Sequence, residues 1–399
     1  MKKRAKSASR PQHSSRIRIR PLGPNIEVAD LIENYYNAYN AARLREICRL
    51  MEAKILQKDV TVGVTLAGAL TPAGFTSFLV PLMERGFIDW IVATGANVYH
   101  DLQRGLGYEF HRGSPFVDDV KLFQERLIRI YDIIVDFDSL LESDRYLYRL
   151  IDQRAYQKKM ATSELHWLLG KDLDRLERKT GRVGSTLLAA AYRCDVPIYT
   201  SSPGDSTIGM NVAARALLGG RMEFDVSLDV NETTAIVHEA KVKGKSAVVI
   251  LGGGSPKNFI LQTEPQLQEI LGLDLTGHDY YVQITDARPD TGGLSGATPS
   301  EAVSWGKVDP DKLPDAIVCY SDTTLAFPLV ASYMISRCRR RALKRLYGRR
   351  TELVTTLKQI VRARSLSGQR SLRGTILEKK AIRPKRKKGT VKRRPRART

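Results

Sequence analysis

The 399-residue chain has only four cysteines, Cys48, Cys194, Cys319 and Cys338, and none of them stands in CxxC spacing. That spacing argues against a disulfide framework and a cysteine-ligated zinc site, and it suits a reducing, cytoplasmic setting. No apolar run approaches the roughly 20 residues a membrane-spanning helix needs, so no membrane association is expected. The N-terminus is basic, but no apolar stretch follows it, so it does not read as a secretory signal. The chain also lacks a GxGxxG fingerprint, a repeat at solenoid period and paired ligand spacing for a metal.

Acidic residues are missing from the two ends. Residues 1–20 hold eight Lys/Arg and no acid, and residues 337–399 hold 25 Lys/Arg against Glu352 and Glu378. The formal charge of +21 therefore divides into +8, +23 and −10 for residues 21–336. An acidic body gives no support to a nucleic-acid-binding core and fits a cationic substrate better. Residues 1–20 and most of 337–399 are too polar and charged to bury a core, which predicts disordered basic termini around a domain at 21–336. The C-terminal extension could still touch nucleic acid non-specifically through phosphate contacts.

Within 21–336 a helical pattern starts near Ile26, with Leu31, Ile32, Tyr35, Tyr36, Tyr39, Leu44, Ile47, Cys48 and Met51 mostly three and four apart. Short apolar runs then alternate with helical stretches. The strand-like runs are Val60–Leu66, Ile88–Thr94, Ile133–Phe137, Val196–Thr200, Ala247–Leu251, Tyr280–Ile284 and Ala316–Tyr320. Several are continuous in Val and Ile, as strands covered on both faces should be. Thr186–Tyr192, Thr233–Val242 and Pro265–Leu271 read as helices between them. The alternation predicts an α/β fold: a Rossmann-like, doubly wound, mainly parallel sheet with helices on both faces. Ligands of such sheets bind beyond the carboxyl ends of the strands.

Three glycine-containing elements follow predicted strands: Thr65–Gly74, Thr94-Gly-Ala-Asn97 and Leu251-Gly-Gly-Gly254-Ser-Pro-Lys257-Asn258. Small residues there let backbone N–H groups approach a phosphate at a helix start. Each element alone reads more readily as a tight strand–helix turn; three in one α/β chain favour a nucleotide. A fourth element is Glu301-Ala-Val-Ser-Trp305-Gly-Lys307. Lys307 is either a solvated surface lysine or one whose lowered pKa lets its neutral amine form an imine, with Trp305 as apolar wall and cation-facing ring. Composition does not choose between these readings.

Taken together, Leu251-Gly-Gly-Gly-Ser-Pro-Lys-Asn258, Ser300-Glu-Ala-Val-Ser-Trp-Gly-Lys307 and Tyr320-Ser-Asp-Thr-Thr-Leu-Ala-Phe-Pro328 resemble the C-terminal half of deoxyhypusine synthases. The resemblance extends more loosely from Ile26 to Ser336 and leaves out both basic ends. It implies an NAD-dependent transferase that moves an aminobutyl group from spermidine, through an imine on a lysine, to an acceptor amine. By the same resemblance Lys307 is that lysine, and Glu301 and Trp305 hold the polyamine. Gly252, Gly253, Gly254, Thr94, Gly95, Asp205, Asp286, Ala287, Asp322 and Thr323 match NAD contacts. A homotetramer with sites at dimer interfaces is implied too.

Four positions depart from the family pattern. Asn258 stands where the family has a histidine, and Met210 and Leu294 stand where it has polyamine-binding aspartates. An acidic NAD contact falls near His100. Asn258 can orient a partner but cannot exchange a proton near neutral pH as histidine can. Two lost carboxylates leave an ammonium without counter-charge. The departures resemble the bacterial deoxyhypusine synthase-like group and point to a free diamine acceptor, as in homospermidine synthesis. Two other readings stay open: an NAD-dependent amine dehydrogenase with net turnover, and a non-catalytic scaffold that binds nucleic acid through its tail.

Overall fold

A computed structural model of the chain describes residues 16–366. The expectations of disorder for residues 1–15 and 367–399 lie outside the described residues.

The described strands are β1 (Val60–Leu66), β2 (Trp90–Ala93), β3 (His111–Arg112), β4 (Leu127–Ile130), β5 (Ile133–Asp136), β6 (Lys159–Met160), β7 (Ile198–Thr200), β8 (Glu223–Phe224), β9 (Lys245–Leu251), β10 (Tyr280–Thr285) and β11 (Ala316–Tyr320). Six of them form one parallel sheet in the order β11-β10-β9-β1-β2-β7. The chain winds outward from β1 through β2 to β7. It then returns to the other side of β1 and winds outward again through β9, β10 and β11. The direction reverses between β1 and β9, and the crevice of a doubly wound sheet opens at such a switch point. Six of the seven apolar runs read from the sequence supply this sheet. The seventh, Ile133–Phe137, does not join it: β5 pairs antiparallel with β3 and β4 in a separate small sheet.

Alternate residues of the sheet feed two cores, because successive strand side chains point to opposite faces. Val60, Val62, Val64, Leu66, Val249, Leu251, Val282 and Ile284 pack on one face. Trp90, Val92, Tyr199, Val248, Ile250 and Tyr281 pack on the other. Helices cover both faces. The helix Gly254–Pro265, for example, lays Ile260 and Leu261 into the second core.

At the amino edge of the sheet the same device appears twice. Asp89, just before β2, accepts the Val62 N–H of β1 at 2.8 Å and pairs with Arg341 at 2.9 Å. Asp279, just before β10, accepts the Ser246 N–H of β9 at 2.9 Å and pairs with Lys241 at 2.8 Å. In both cases a carboxylate bridges two parallel strands, and a buried cation offsets the loss of its hydration.

The described part of the C-terminal extension, residues 337–366, packs against the domain expected at 21–336. The guanidinium of Arg341 also donates to the carbonyls of Gly86 (2.7 Å), Gln57 (3.0 Å) and Val60 (2.9 Å). The helix Leu346–Leu366 then buries Leu346, Leu353, Val354 and Leu357 in the second core. Arg349 and Arg350 pair with Glu239 and Glu232 on the helix Val226–Lys243. The basic composition of this segment hides an apolar stripe at helical spacing, and that stripe orders it.

Candidate functional site

The candidate cofactor residues all lie at carboxyl ends of the sheet strands. Thr94 follows β2 and begins the helix Gly95–Leu106; its Oγ1 donates to the Gly68 carbonyl beyond β1 at 2.5 Å. Buried Asn97 ties the same loop, accepting from the N–H groups of Leu70 (2.8 Å) and Thr71 (3.1 Å). Asp205, exposed, lies in the turn after β7, and Ser202 of that turn meets Ser255 at 3.0 Å. Gly252, Gly253 and Gly254 follow β9 and begin the helix Gly254–Pro265. A Cβ on Gly253 would lie 2.5 Å from the Cα of Ser295, so only glycine lets that loop close. Asp286 and Ala287 follow β10. Asp322 follows β11, where its Oδ1 caps the helix Thr323–Arg337 through the Thr324 N–H at 2.8 Å, while Thr323 donates to the Ile284 carbonyl at 3.2 Å.

The lysine element sits beside the glycine turn. Thr298 caps the short helix Pro299–Ser304, and the chain then passes through Trp305 and Gly306 to Lys307. Lys307 Nζ donates to Asn258 Oδ1 at 3.1 Å and stands 5.7 Å from the centre of the Trp305 ring. Burial draws the Lys307 pKa below the ordinary lysine range, and the Glu301 carboxylate pulls it back in part. Lys307, Asn258, Trp305 and Glu301 are thus brought together.

Met210 and Leu294 are not brought into that cluster within one chain. Met210, 61% exposed, opens on a groove lined by Leu141, Asp144, Tyr148 and Asn211. Leu294, 51% exposed, stands on the loop after β10, next to Ser295. His100 lies nearly two turns into its helix, 2.7 Å from Gln103 Oε1 and against Phe110. Its neighbour Asp101 is buried and receives the N–H groups of Leu187 and Leu188, so it holds a helix start.

Sequence reasoning missed Lys257 as a site residue. Its buried ammonium donates to Gln283 Oε1 (3.0 Å) and to the carbonyls of Ser295 (3.1 Å) and Ala297 (2.7 Å). It straps the Leu294 loop over the glycine turn. Burial lowers its pKa to about 8, with Glu301 opposing and Lys307 adding to the shift. The available signal was its helical phase with Ile260, Leu261 and Glu264, all buried.

Residues 30–334 match the family described as deoxyhypusine synthase. The chain belongs to the deoxyhypusine synthase family. A "Deoxyhypusine synthase-like protein" of Nostoc punctiforme is 59% identical over 341 residues, covering 85% of this chain and 87% of its own. A "Probable deoxyhypusine synthase 2" of Methanosarcina acetivorans is 35% identical over 308 residues, covering 77% and 86%. The crystal structure of a candidate deoxyhypusine synthase from Entamoeba histolytica shares the fold, with a TM-score of 0.54 at 14% identity over 80% of this chain and 97% of that one.

Deoxyhypusine synthases are NAD-dependent aminobutyl transferases. The residues here fit a dinucleotide. The helix Gly95–Leu106 starts at the sheet's carboxyl edge without a side-chain cap, so its first N–H groups can donate to phosphate oxygens. At the start of the helix Gly254–Pro265 the Gly254 N–H is taken by Ser295 Oγ at 2.9 Å and Pro256 has no N–H, which leaves that of Ser255. The Ser201 hydroxyl, buried just beyond β7, has no hydrogen-bond partner among the described residues. No group of three or more His, Cys, Asp or Glu among the described residues could hold a metal ion. No described helix is long and apolar enough to cross a membrane.

Proposed function

We propose that this chain transfers an aminobutyl group from a spermidine-like donor, by way of an imine on Lys307, to a small free amine such as a diamine. The observation that carries the reading is the contact of Lys307 with Asn258 and Trp305 beside the Gly252–Gly254 turn. The Rossmann-like winding of the sheet supports NAD in the crevice above that turn, held by the strand-end residues from Thr94 to Thr323. Bound NAD supplies the hydride acceptor for the donor carbon and returns the hydride at the end, with no net redox change.

The chain's own groups do the rest. A half-buried lysine loses its proton more readily than a solvated one, so a neutral amine is available for attack. Its nitrogen adds to the oxidised donor carbon, and the C–N bond to 1,3-diaminopropane breaks as that amine takes the proton. The acceptor amine then displaces Lys307 in the same way. Asn258 accepts a hydrogen bond from the lysine and orients it. The Trp305 ring and the Glu301 carboxylate favour a cationic amine beside the reacting atoms.

Met210 and Leu294, where the resemblance puts polyamine-binding aspartates, carry no charge, which supports a free amine over a protein lysine as acceptor. Trp305, Met210 and Leu294 are each more than half exposed, which supports a homotetramer in which a second copy brings Met210 toward Lys307. The test is to incubate the protein with NAD and a panel of polyamines, quench with borohydride and map the adduct by mass spectrometry. An aminobutyl adduct on Lys307, with secondary-amine products and no free NADH, is expected. Accumulating NADH without an adduct would overturn the reading.

A further inference from the structure

A buried polar knot lies behind Lys307, on the side away from the crevice. The helix Gly254–Pro265 runs into a π turn, Gln266–Ile270, closed by the Leu271 N–H on the Gln266 carbonyl at 2.9 Å. Such turns are rare and recur at functional sites. This one carries Gln268, whose Nε2 donates to the Gly306 carbonyl at 2.8 Å and lies 3.3 Å from Glu264 Oε2.

We infer that Gln268 is a positioning residue for Lys307: its amide fixes the Gly306 turn that aims the lysine at Asn258. Gly306 has φ +71°, and a Cβ there would lie 2.7 Å from Gln268 Oε1. The left-handed backbone calls for glycine here, and the Gln268 amide fills the space its missing Cβ leaves. The main chain of Lys307 is held on two more sides, by its N–H on the Ala302 carbonyl (2.9 Å) and its carbonyl under the His278 N–H (3.0 Å). Among these supports Gln268 is the one side chain. The other two are backbone bonds that a substitution at 268 leaves in place.

Glu264 orients the amide in turn. It is fully buried, and its other oxygen stands 3.6 Å from His278 Nδ1. Burial pushes the Glu264 carboxyl up to about 8, with Lys241 opposing, so it needs no full counter-charge near neutral pH. His278 is kept neutral by its own burial. A neutral acid and a neutral imidazole can be enclosed behind the lysine without placing an anion there that would hold its proton.

The inference rests on the reading of Lys307 as the reactive amine, and its test does not require substrate. Protein with NAD bound is methylated with formaldehyde and cyanoborohydride across a pH series, and the labelling of Lys307 is followed by mass spectrometry. In Gln268→Ala the turn relaxes and the lysine gains water. Its labelling midpoint should rise by about one pH unit toward an ordinary lysine. Aminobutyl turnover should fall, while NAD affinity and the denaturation midpoint stay near wild type. Gln268→Met keeps the chain length and volume without the amide; it should shift the midpoint equally and carries the test if the alanine variant does not fold. An unchanged midpoint in a folded variant overturns the inference. Failure of the imine reading shows separately, as absent borohydride trapping in the wild type.

Discussion

The two edges of the parallel sheet are built from the same residue types to opposite ends. At the amino edge Asp89 and Asp279 each bridge two strands and each meet a buried cation, Arg341 or Lys241. At the carboxyl edge the helix Gly95–Leu106 begins without a side-chain cap, and the helix Gly254–Pro265 that starts there carries Asn258, the neutral acceptor of the Lys307 ammonium. Charges at the first edge are paired, and pairing fixes geometry. The Lys307 cation meets a neutral amide instead, and burial draws its pKa down. On the proposed function, stability and chemistry are divided between these two environments.

Lys307→Arg tests this division most severely. A guanidinium stays protonated and cannot form the imine, so transfer should vanish while the urea midpoint and NAD affinity hold. Measurable turnover in this variant would remove Lys307 from the mechanism. The reverse experiment is Arg341→Met, which leaves the buried Asp89 carboxylate unpaired. A loss of about 3–5 kcal/mol is expected in urea unfolding, with Asp89→Asn in the same chain restoring part of it. An unaltered midpoint would show that the amino edge is not where stability resides.

Gly253→Ala should act between these extremes. Its Cβ would press on Ser295, whose hydroxyl receives the Gly254 N–H at 2.9 Å. Overpacking of this kind costs about 1–3 kcal/mol. The effect should appear chiefly as weaker NAD binding by calorimetry, and a collapse of the fold instead would blur the two edges. Met210→Asp is the mildest change. Returning a carboxylate should tighten spermidine by roughly tenfold if it meets an ammonium. No change in spermidine affinity would place Met210 outside the substrate site.

The sheet was legible because its strands are continuous apolar runs bounded by glycine or polar turns. Val60–Leu66 and Ala316–Tyr320 coincide with β1 and β11. The turn Gly252–Gly254 was legible as a break after a strand, whereas Lys307 was singled out by the family resemblance and its meeting with Asn258 was not foreseen. Ile133–Phe137 was placed in the wrong sheet because a five-residue run does not say which partner it pairs with. The ordered segment after Ser336 was hidden by its charge: Leu346, Leu353, Val354 and Leu357 are outnumbered by Lys and Arg, and composition counts residues without regard to the helix face they share. Arg341 was beyond reach altogether, because its partners lie more than 250 residues away.

That separation has a consequence for biosynthesis. Translation delivers β1, β2 and Asp89 long before Arg341 leaves the ribosome. Until then the base of the sheet holds a carboxylate with no cation to receive it, and the strands around it cannot close for good. A chain that terminates early keeps that defect permanently and stays open to proteases. Arg341 thus closes a contact with residues made some 250 positions earlier, and stalled chains ending before and after it should differ sharply in protease resistance.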